Sequence, residues 1–394
     1  MKKALVVGGN SGIGLSIVHV LLRKGYDYVY IVGKDNPQKE DILAGFESDF
    51  REKTRFQKID LTCEDFSVFD SITDIDTLVY TAGFGRVAPF ESLSEIEIAK
   101  LVKCNMLAGI QLIKKYYAKL QSETPFYCAV MGSISGHVAS PLFSVYGASK
   151  FGLCSFIENV NAELLSAGYN NRILDVSPGA VKGTNFNQQG NDIEQIMSLA
   201  ENIVNKMLEQ QNLYIPQYEE TYQAVIERYR KDPIAFGKES YRYKLDGGRV
   251  QYQSPIIVGY LSGTFDLFHI GHLNLLKRAK QECDYLVVGV HKSGAWKGKE
   301  TFIPFEERKA IVESLAFVDK VIESFEEDSD AYDVLGIKKL FVGSDYKGSA
   351  RFAKYEEYFK DKNVEIVYFP YTKGTSSTQL RDALHKKIKD GTSS

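Results

Sequence analysis

The sequence predicts an α/β protein built from two doubly wound parallel-sheet domains in tandem. Two observations support this prediction. Short apolar segments of strand length alternate with amphipathic helical segments from Ala4 to Val176, and the same alternation starts again after Pro255. In addition, 394 residues exceed the length of one ordinary domain and indicate about two or three.

The composition is typical of a soluble globular protein, with 44% apolar and 25% charged residues. A formal net charge of −3 without a long basic run argues against nucleic acid as a partner. The cysteines lack CxxC spacing, which argues against a zinc site or a disulfide framework and favours the reducing cytoplasm. They are Cys63, Cys104, Cys128, Cys154 and Cys283. Neither a signal peptide nor a membrane span is expected, because glycines interrupt the N-terminal apolar run.

A glycine-rich turn between the first strand and the first helix is the first candidate binding site. Ala4–Val7 is the strand, and apolar residues at helical spacing follow from Leu15. Glycines at this turn permit a tight bend and allow the backbone to approach a pyrophosphate closely. The candidate cofactor-binding residues of the turn are Gly8, Asn10, Ser11, Gly12, Ile13 and Gly14. The alternative is a glycine loop in an α/β domain that binds no nucleotide.

The remaining strands of the first domain each end in small or polar residues. The predicted strands are Tyr28–Val32, Phe56–Ile59, Thr77–Tyr80, Tyr127–Met131 and Ile173–Val176. The residues that follow them include Asp60, Ala82, Gly83, Ser133, Pro178 and Gly179. A long helix is predicted from Glu95 to Leu120, through Asn105, and Tyr146–Lys150 leads into a second helix, Phe151–Leu165. Strands that alternate with helices in this way predict a parallel sheet.

In this order and spacing, the motifs of residues 1 to about 185 resemble the short-chain dehydrogenase/reductase family. The matching motifs are Gly8-x3-Gly12-x-Gly14, Asp60, Ala82-Gly83, Asn105, Ser133, Tyr146-x3-Lys150 and Pro178-Gly179. The resemblance implies a Rossmann-like domain that binds a nicotinamide cofactor through its glycine turn and strand ends. It also implies that Asn105, Ser133, Tyr146 and Lys150 are catalytic. Val7 and Tyr80-Thr81 depart from the family's usual residues.

The chemistry expected of the catalytic group is proton delivery to a carbonyl oxygen. A phenol has an ordinary pKa of about 10, so it is a poor acid–base group at neutral pH. Lys150 lies at i+4 from Tyr146, and its ammonium group is expected to lower the phenol pKa. Ser133 would hydrogen-bond the same substrate oxygen, and Asn105 would hold a proton-relaying water. The alternative for Tyr146 is an ordinary tyrosine–lysine pair on a helix surface.

The end of the second strand bears on the choice of cofactor. An acidic residue there would bond the adenosine 2′-hydroxyl, whereas Gly33-Lys34 offers a cation to a 2′-phosphate. We therefore expect NADPH in preference to NADH, although Asp35 follows directly. The alternative for Lys34 is a solvated surface charge.

Beyond the last strand motif, the pattern predicts helices at Asn191–Leu213 and Glu219–Arg230. By the resemblance this region closes over the substrate, where Tyr218, Tyr222 and Arg228 are candidates to touch a phosphate. Periodicity is then lost in a segment with Pro and Gly residues. These features predict a first domain at 1–235, a linker at 236–254 and a second domain at 255–394.

The second domain begins with an apolar strand and a pair of histidines. Ile256–Leu261 is the strand, and His269 and His272 follow at the mouth of a helix. Backbone N–H groups at a helix N-terminus can hold phosphate, and side chains three residues apart share one side of a helical turn. The two imidazoles are therefore expected to face one anion. The alternative is a pair of hydrogen-bonded histidines in the core.

Further strands and turns complete this domain. The predicted strands are Tyr285–Val290, Lys338–Val342 and Val364–Phe369. A polar loop with Lys297 and Lys299 follows the first of them, and a helix starts near Arg308. The candidate nucleotide-binding residues besides the histidines are Gly263, Thr264, Phe265, Asp345, Thr372, Ser376, Ser377 and Thr378.

Residues 256–384 resemble the small HxGH nucleotidyltransferase family, in particular the glycerol-3-phosphate cytidylyltransferases. The matching motifs are Gly263-Thr264-Phe265-Asp266, His269-x-Gly271-His272, Glu307-Arg308 and Thr372-x-Gly374-x-Ser376-Ser377-Thr378, with Tyr371 in place of the family's arginine. The resemblance implies in-line substitution at the α-phosphorus of CTP, with Mg²⁺ on the triphosphate. By the resemblance His269 and His272 bond the phosphates, and Lys299 (or Lys297) and Arg308 supply positive charge. The alternative for the two lysines is an ordinary charge on a loop.

Together the two halves suggest consecutive steps in one multifunctional enzyme. The expected reactions are NADPH-dependent reduction of a ketose (or ketone) phosphate and CTP-dependent cytidylyl transfer to the resulting polyol phosphate. The product would be a CDP-polyol for capsule polysaccharide or a teichoic-acid-like polymer. Two alternatives are an ATP-using adenylyltransferase as the second domain and a non-catalytic binding or oligomerisation module as the first. A cytoplasmic homo-oligomer that engages neither membrane nor nucleic acid is expected.

Overall fold

A computed structural model describes residues 1–39, 42, 47–62, 66–184, 186, 191–293, 301–370 and 379–380. The chain divides into two compact units, Met1–Ser254 and Pro255–Ser394. Each unit contains one parallel sheet, which confirms the predicted fold class. Among the described residues, no helix has the length and apolar character that a membrane crossing requires.

The first unit contains a seven-stranded parallel sheet in the order β3-β2-β1-β4-β5-β6-β7. The strands are β1 (Lys3–Val7), β2 (Tyr28–Gly33), β3 (Thr54–Lys58), β4 (Thr77–Tyr80), β5 (Tyr127–Met131), β6 (Ile173–Val176) and β7 (Leu213–Tyr214). The helices are α1 (Gly12–Arg23), α2 (Glu47–Lys53), α3 (Glu95–Val102), α4 (Ala108–Leu120), α5 (Ser144–Ser166), α6 (Ile193–Leu208), α7 (Gln223–Lys231) and α8 (Pro233–Asp246). Strand β7 falls at the end of a segment that was predicted to be helical.

Helices cover both faces of this sheet, and two separate apolar cores result. One core joins the sheet to α1 and α6, and the other joins it to α4 and α5. Strands β4 and β6 are buried along their whole length, as expected of central strands that helices cover on both faces, and each contains one buried polar residue, Thr77 or Asp175. The strand order reverses between β1 and β4, and the crevice at the carboxyl ends of such strands is where open α/β sheets bind ligands.

The long helix predicted from Glu95 to Leu120 is interrupted in its middle. A π-helical turn, Lys103–Leu107, separates α3 from α4 and contains the buried Asn105. Such turns are frequent at functional sites because they re-aim one side chain within a helix. Helical periodicity predicted the two flanking helices but carries no signal for this local change of winding.

The segment 236–254, expected to be a linker, belongs to the first unit. Its first part is helix α8, which Asp232 caps through hydrogen bonds from the N–H groups of Ile234 and Ala235. Lys244 of this helix is buried, and its Nζ donates to Ser140 Oγ (2.8 Å) and to the Pro141 carbonyl (2.7 Å). The sequence pattern did not reveal this helix, because the buried Lys244 places a charged residue where helical periodicity requires an apolar one.

The second unit contains a five-stranded parallel sheet in the order β10-β9-β8-β11-β12. Its strands are β8 (Val258–Gly263), β9 (Tyr285–Val290), β10 (Lys320–Glu323), β11 (Lys339–Gly343) and β12 (Glu365–Phe369). Its helices are α9 (Ile270–Gln281), α10 (Phe305–Glu313), α11 (Ala331–Leu335) and α12 (Ala350–Phe359). Strand order reverses between β8 and β11, so the loop after β8 and the first turn of α9, which carry His269 and His272, lie at the reversal point.

Candidate active sites

The glycine turn of the first unit forms a cradle that excludes side chains. Gly8 has φ +85°, and a Cβ added to it would lie 2.6 Å from the Ala82 nitrogen. A Cβ added to Gly14 would lie 2.1 Å from the Gly8 carbonyl oxygen. Ser11 is the N-cap of α1 and makes no side-chain capping bond within the described part of the chain. The N–H groups at this helix start therefore suit an anion such as pyrophosphate.

The other candidate cofactor residues lie around this cradle. Asn10 packs onto the end of β2, where its Oδ1 would be 2.3 Å from a Cβ added to Gly33. Lys34 follows that strand and is exposed, and Ile13 is half-buried in the first turn of α1. Asp60 accepts hydrogen bonds from the Thr62 N–H (2.9 Å) and hydroxyl (2.6 Å). The structure thus gathers these residues at the carboxyl ends of β1, β2 and β3.

Pro178 and Gly179 lie at the carboxyl end of β6. The Pro178 carbonyl accepts a hydrogen bond from the Ile134 N–H (3.0 Å), which joins this turn to the Ser133 loop. The Tyr222 hydroxyl would lie 1.6 Å from a Cβ added to Gly179, so the tyrosine covers this glycine. Of the residues considered for a substrate phosphate, Tyr222 is therefore placed at the site. Tyr218 is exposed, and Arg228 is exposed and pairs with Glu239.

Asn105 joins the π turn to the loop after β4. Its Oδ1 accepts a hydrogen bond from the Phe84 N–H (3.0 Å), and its Nδ2 donates to the Phe84 carbonyl (2.8 Å). A Cβ added to Gly83 would lie 3.1 Å from Asn105 Oδ1 and 3.4 Å from Lys150 Nζ. The loop that contains Ala82 and Gly83 therefore packs directly against two of the four candidate catalytic side chains.

Ser133, Tyr146 and Lys150 converge at the carboxyl end of β5. The Ser133 side chain hydrogen-bonds the Tyr146 hydroxyl, and that bond lowers the tyrosine pKa. Lys150 Nζ donates to the Met131 carbonyl (2.7 Å) and lies 5.9 Å from the centre of the Tyr146 ring. Phe143 packs on the same ring with a centroid distance of 4.7 Å. The arrangement places a phenol and a serine hydroxyl where both can contact one carbonyl oxygen.

The pKa of Tyr146 differs from the expectation. Burial raises it to about 12, which outweighs the lowering by Ser133. Burial also lowers the pKa of Lys150, because a low-dielectric environment disfavours the ammonium form. Spacing along a helix predicted that the two side chains would be neighbours. That spacing gives no information about how far burial shifts the pKa of either side chain.

In the second unit, the N-terminus of α9 presents two stacked imidazoles, one from the N-cap His269 and one from His272 in the first turn. The ring centroids of His269 and His272 lie 4.1 Å apart, with 27° between the planes. Phe265 packs edge-on against His272, at 5.4 Å between centroids. Phe265 and Leu267 have φ of +52° and +49°, a strained conformation for residues with side chains. Such strain is concentrated at functional sites, where surrounding contacts hold it.

The hydrogen bond of His269 determines which ring nitrogen carries the proton. His269 is the N-cap of α9, and its Nδ1 accepts a hydrogen bond from the Gly271 N–H (3.0 Å). A backbone N–H can only donate, so the neutral ring carries its proton on Nε2. Burial lowers the pKa of His269 and favours this neutral form. His269 can therefore donate a hydrogen bond to a phosphate oxygen without being charged.

Arg308 takes a different position from the one expected. Its side chain is fully buried, and its guanidinium donates to the carbonyls of Ile303 (2.9 Å), His291 (2.8 Å), Lys292 (3.0 Å) and Thr264. Four of the five guanidinium N–H donors therefore bond backbone carbonyls and not a nucleotide. Arg308 is placed to hold the loops after β8 and β9, and we assign it a positioning role.

Replacement of Arg308 by lysine should destabilise the second unit by about 2–4 kcal/mol, because an ammonium group cannot reach four carbonyls at once. Thermal unfolding of the variant and the wild type, followed by calorimetry, measures the difference. Lys309→Ala is the matched control, since Lys309 forms a half-exposed i,i+4 pair with Glu313 (3.6 Å) on the same helix. An unchanged unfolding temperature in Arg308→Lys would contradict this role.

Two residues of this site were given no role in the sequence analysis. Asp266 is buried and accepts hydrogen bonds from the N–H groups of Phe302 (3.1 Å) and Ile303 (3.0 Å), which fastens the histidine loop. His291 follows β9, and its Nδ1 lies 2.7 Å from Ser324 Oγ. The signal for Asp266 was present, as an acidic residue within an otherwise apolar motif. Gly263 ends β8, and Asp345 lies in the turn after β11.

Several predicted site residues lie outside the described residues. They are Lys297, Lys299, Thr372, Ser376, Ser377 and Thr378. The described part of the second site therefore consists of the histidine loop, the loops that Arg308 holds and the turn after β11.

Comparison with known proteins matches two separate families. The short chain dehydrogenase family matches residues 2–195, and the cytidylyltransferase-like family matches residues 260–383. Glycerol-3-phosphate cytidylyltransferase of Bacillus subtilis is 36% identical over 126 residues, which cover 31% of this chain and 92% of that protein.

The first unit has similar proteins of its own. Retinol dehydrogenase 8 of Homo sapiens is 29% identical over 187 residues, 46% of this chain and 59% of that protein. A short-chain dehydrogenase structure from Sphingobium yanoikuyae, solved in complex with NADPH, is 20% identical and gives a TM-score of 0.49. It covers 64% of this chain and 98% of that one.

Proposed function

The chain belongs to the cytidylyltransferase-like family through its second domain and carries a short-chain dehydrogenase domain before it, and we propose that it synthesises a CDP-polyol in two steps. The first unit reduces a ketose (or ketone) phosphate to a polyol phosphate. The second transfers a cytidylyl group from CTP to that phosphate and releases pyrophosphate. One observation carries the proposal. The chain combines a short-chain dehydrogenase domain with a domain similar to glycerol-3-phosphate cytidylyltransferase, an enzyme named for a phosphorylated alcohol.

The residues of the first site fit carbonyl reduction with a nicotinamide cofactor held at the glycine cradle. When bound, the reduced nicotinamide supplies the hydride. Tyr146 and Ser133 hydrogen-bond the substrate oxygen, and Tyr146 gives it a proton as the carbonyl becomes an alcohol. The raised pKa of Tyr146 keeps the phenol protonated and ready to donate. Lys150 stabilises the phenolate that remains, and Asn105 holds the adjoining loop and the relay water.

The residues of the second site fit transfer without a protein nucleophile. A phosphate oxygen of the acceptor attacks the α-phosphorus of CTP, and the bond to the β-phosphate breaks in line with it. Neutral His269 donates through Nε2–H, and His272, stacked on it, contacts the adjacent phosphate. Two cations in stacked contact would repel, which favours at most one charged imidazole. We propose that Mg²⁺ arrives bound to CTP, with Lys299 and residues 372–378 as further contacts.

The proposal is tested by supplying each step with a panel of substrates. Purified protein is mixed with NADPH and dihydroxyacetone phosphate, a pentulose 5-phosphate or fructose 6-phosphate, and absorbance at the NADPH band is followed. CTP or ATP is then added, pyrophosphate is measured, and the product is identified by mass spectrometry. Reduction of one member followed by CTP-dependent pyrophosphate release is expected. No oxidation of NADPH with any member would overturn the reductase assignment.

The same experiment separates the alternatives. Pyrophosphate release with ATP in place of CTP would indicate an adenylyltransferase. Failure to bind NADPH, measured by its fluorescence, would indicate a binding or oligomerisation module in place of a reductase. We propose a cytoplasmic homo-oligomer whose product donates polyol phosphate to a surface polysaccharide or teichoic-acid-like polymer.

Cofactor choice gives a separate prediction. Lys34→Ala should raise the KM for NADPH about tenfold and leave the KM for NADH nearly unchanged, because only NADPH offers a 2′-phosphate to the ammonium group. Initial rates with both cofactors measure the effect. Lys24→Ala is the matched control, since Lys24 is exposed at the opposite end of α1. Equal increases for NADPH and NADH would contradict the assignment.

A further inference from the structure

A buried polar chain lies directly behind the Ser133 loop. Asp175 of β6 is only 5% exposed, and its Oδ1 accepts a hydrogen bond from Ser177 Oγ (2.7 Å). Ser177 Oγ accepts one from the Ser133 N–H (3.1 Å) and lies 2.9 Å from His137 Nε2. Asp175, Ser177 and His137 were not among the residues assigned to the site. They connect a buried carboxylate to the backbone of a candidate catalytic serine.

The direction of each hydrogen bond follows from proton counting. A serine hydroxyl has one proton and two lone pairs, an ionised carboxylate only accepts, and a backbone N–H only donates. The Ser177 proton therefore points to Asp175, and one lone pair accepts from Ser133. The remaining lone pair accepts from His137, so Nε2 of His137 carries a proton.

His137, Cys154 and Asp175 are residue types that can bind a metal ion, but their geometry disfavours a metal site here. Ligand atoms of His137, Cys154 and Asp175 all lie within 4.8 Å of one another. The space among them is taken by Ser177 Oγ, which is 2.9 Å from His137, 2.7 Å from Asp175 and 3.6 Å from Cys154 Sγ. A hydroxyl in this position completes a hydrogen-bonded chain.

The carboxylate also lies close to the anchor of Lys150. Lys150 Nζ donates to the Met131 carbonyl (2.7 Å), and Met131 pairs in register with Val176, the neighbour of Asp175. A Cβ added to Gly132 would lie 2.3 Å from Asp175 Oδ1, so the carboxylate rests on the backbone between Met131 and Ser133.

The titratable groups around the Asp175 carboxylate are His137 of the Ser133 loop, and Cys154 and Lys150 of α5. His137 Nε2 lies 3.6 Å from Asp175 Oδ2. Burial lowers the pKa of Lys150, whereas Cys154, Cys104 and Asp175 raise it. Burial raises the pKa of Cys154 to about 12, so this thiol is neutral near pH 7. Asp175 is thus a buried negative charge that opposes the effect of burial on the catalytic lysine.

We propose that Asp175 is a positioning residue for carbonyl reduction, which fixes the Ser133 loop through Ser177 and places a negative charge beside the backbone that anchors Lys150. The inference rests on the proposed reductase function of the first unit. It predicts that geometry and charge make separable contributions to the activity.

Asp175→Asn separates the two contributions, because the amide oxygen still accepts from Ser177 while the charge is removed. The alkaline limb of the kcat/KM–pH profile should move to lower pH by about one unit, since Lys150 loses its proton more readily without a nearby anion. Ser177→Ala is the matched variant. It removes the acceptor of the Ser133 N–H and keeps the charge of Asp175. The value of kcat should therefore fall, while the alkaline limb of the profile stays at its wild-type pH.

A purely structural role of Asp175 would lower kcat at every pH and leave the limb unmoved, and this result would overturn the proposal. Nitrogen-15 NMR of the histidine rings provides a readout that needs no turnover. His137, assigned by comparison with His137→Gln, should carry its proton on Nε2, and a proton on Nδ1 instead would overturn the chain. If the wild type reduces no ketose phosphate, the proposed function fails while the NMR result still tests the chain.

Discussion

Tyr146→Phe should lower kcat for NADPH-dependent reduction about 1000-fold, because the variant lacks the phenolic proton that the substrate oxygen receives. The ring itself remains, so its packing on Phe143 and Phe186 is kept. Steady-state oxidation of NADPH with the ketose phosphate that the wild type reduces measures the loss. Cytidylyl transfer to the matching polyol phosphate should keep its wild-type rate.

Tyr116→Phe provides the matched control for this prediction. Tyr116 is buried in the same unit, and its hydroxyl donates to the Ile72 carbonyl (2.6 Å). Removal of this hydroxyl should cost about 1 kcal/mol of stability and leave reduction intact. If Tyr116→Phe lost as much activity as Tyr146→Phe, the effect would reflect general disturbance of the unit, and proton delivery by Tyr146 would be contradicted.

His272→Ala should lower kcat for CTP-dependent transfer by about 100- to 1000-fold, the usual cost of removing one donor that stabilises developing charge. His272 lies against His269 and Phe265, so the change also removes the ring on which His269 stacks. Pyrophosphate release from CTP and a polyol phosphate measures the effect. Reduction by the first unit should be unaffected, which makes it an internal test of folding and concentration.

Lys277→Ala on the same helix provides the control for His272→Ala. Lys277 is exposed and lies on α9 about 1.4 turns after His272. Its replacement should change kcat by less than about twofold. If His272→Ala catalysed cytidylyl transfer at the wild-type rate, the histidine pair would belong to the core of the second unit and not to its active site.

The features that could be predicted from the sequence are those that residues close together in the chain determine. Apolar strands, helical periodicity and glycine turns identified both parallel-sheet units and nearly all of their strands. The histidine pair and the Tyr146–Lys150 pair were also recognisable, because spacing along a helix decides which side chains are neighbours. Strand β7 was missed because two residues carry too little pattern, and β10 was missed because it has charged, exposed residues, Lys320 and Glu323, at both ends.

The remaining features depend on contacts between residues far apart in the chain, which no local pattern records. Lys244 bonds Ser140 across 104 positions, and Arg308 bonds Thr264 across 44, so two cations that composition assigns to the surface become buried. The pKa of Tyr146 and the chain from Asp175 to Ser133 likewise follow from desolvation and proximity in the folded unit. Residue types and their spacing were sufficient to identify the two enzyme families. The protonation and support of those residues depend on which groups the fold removes from water.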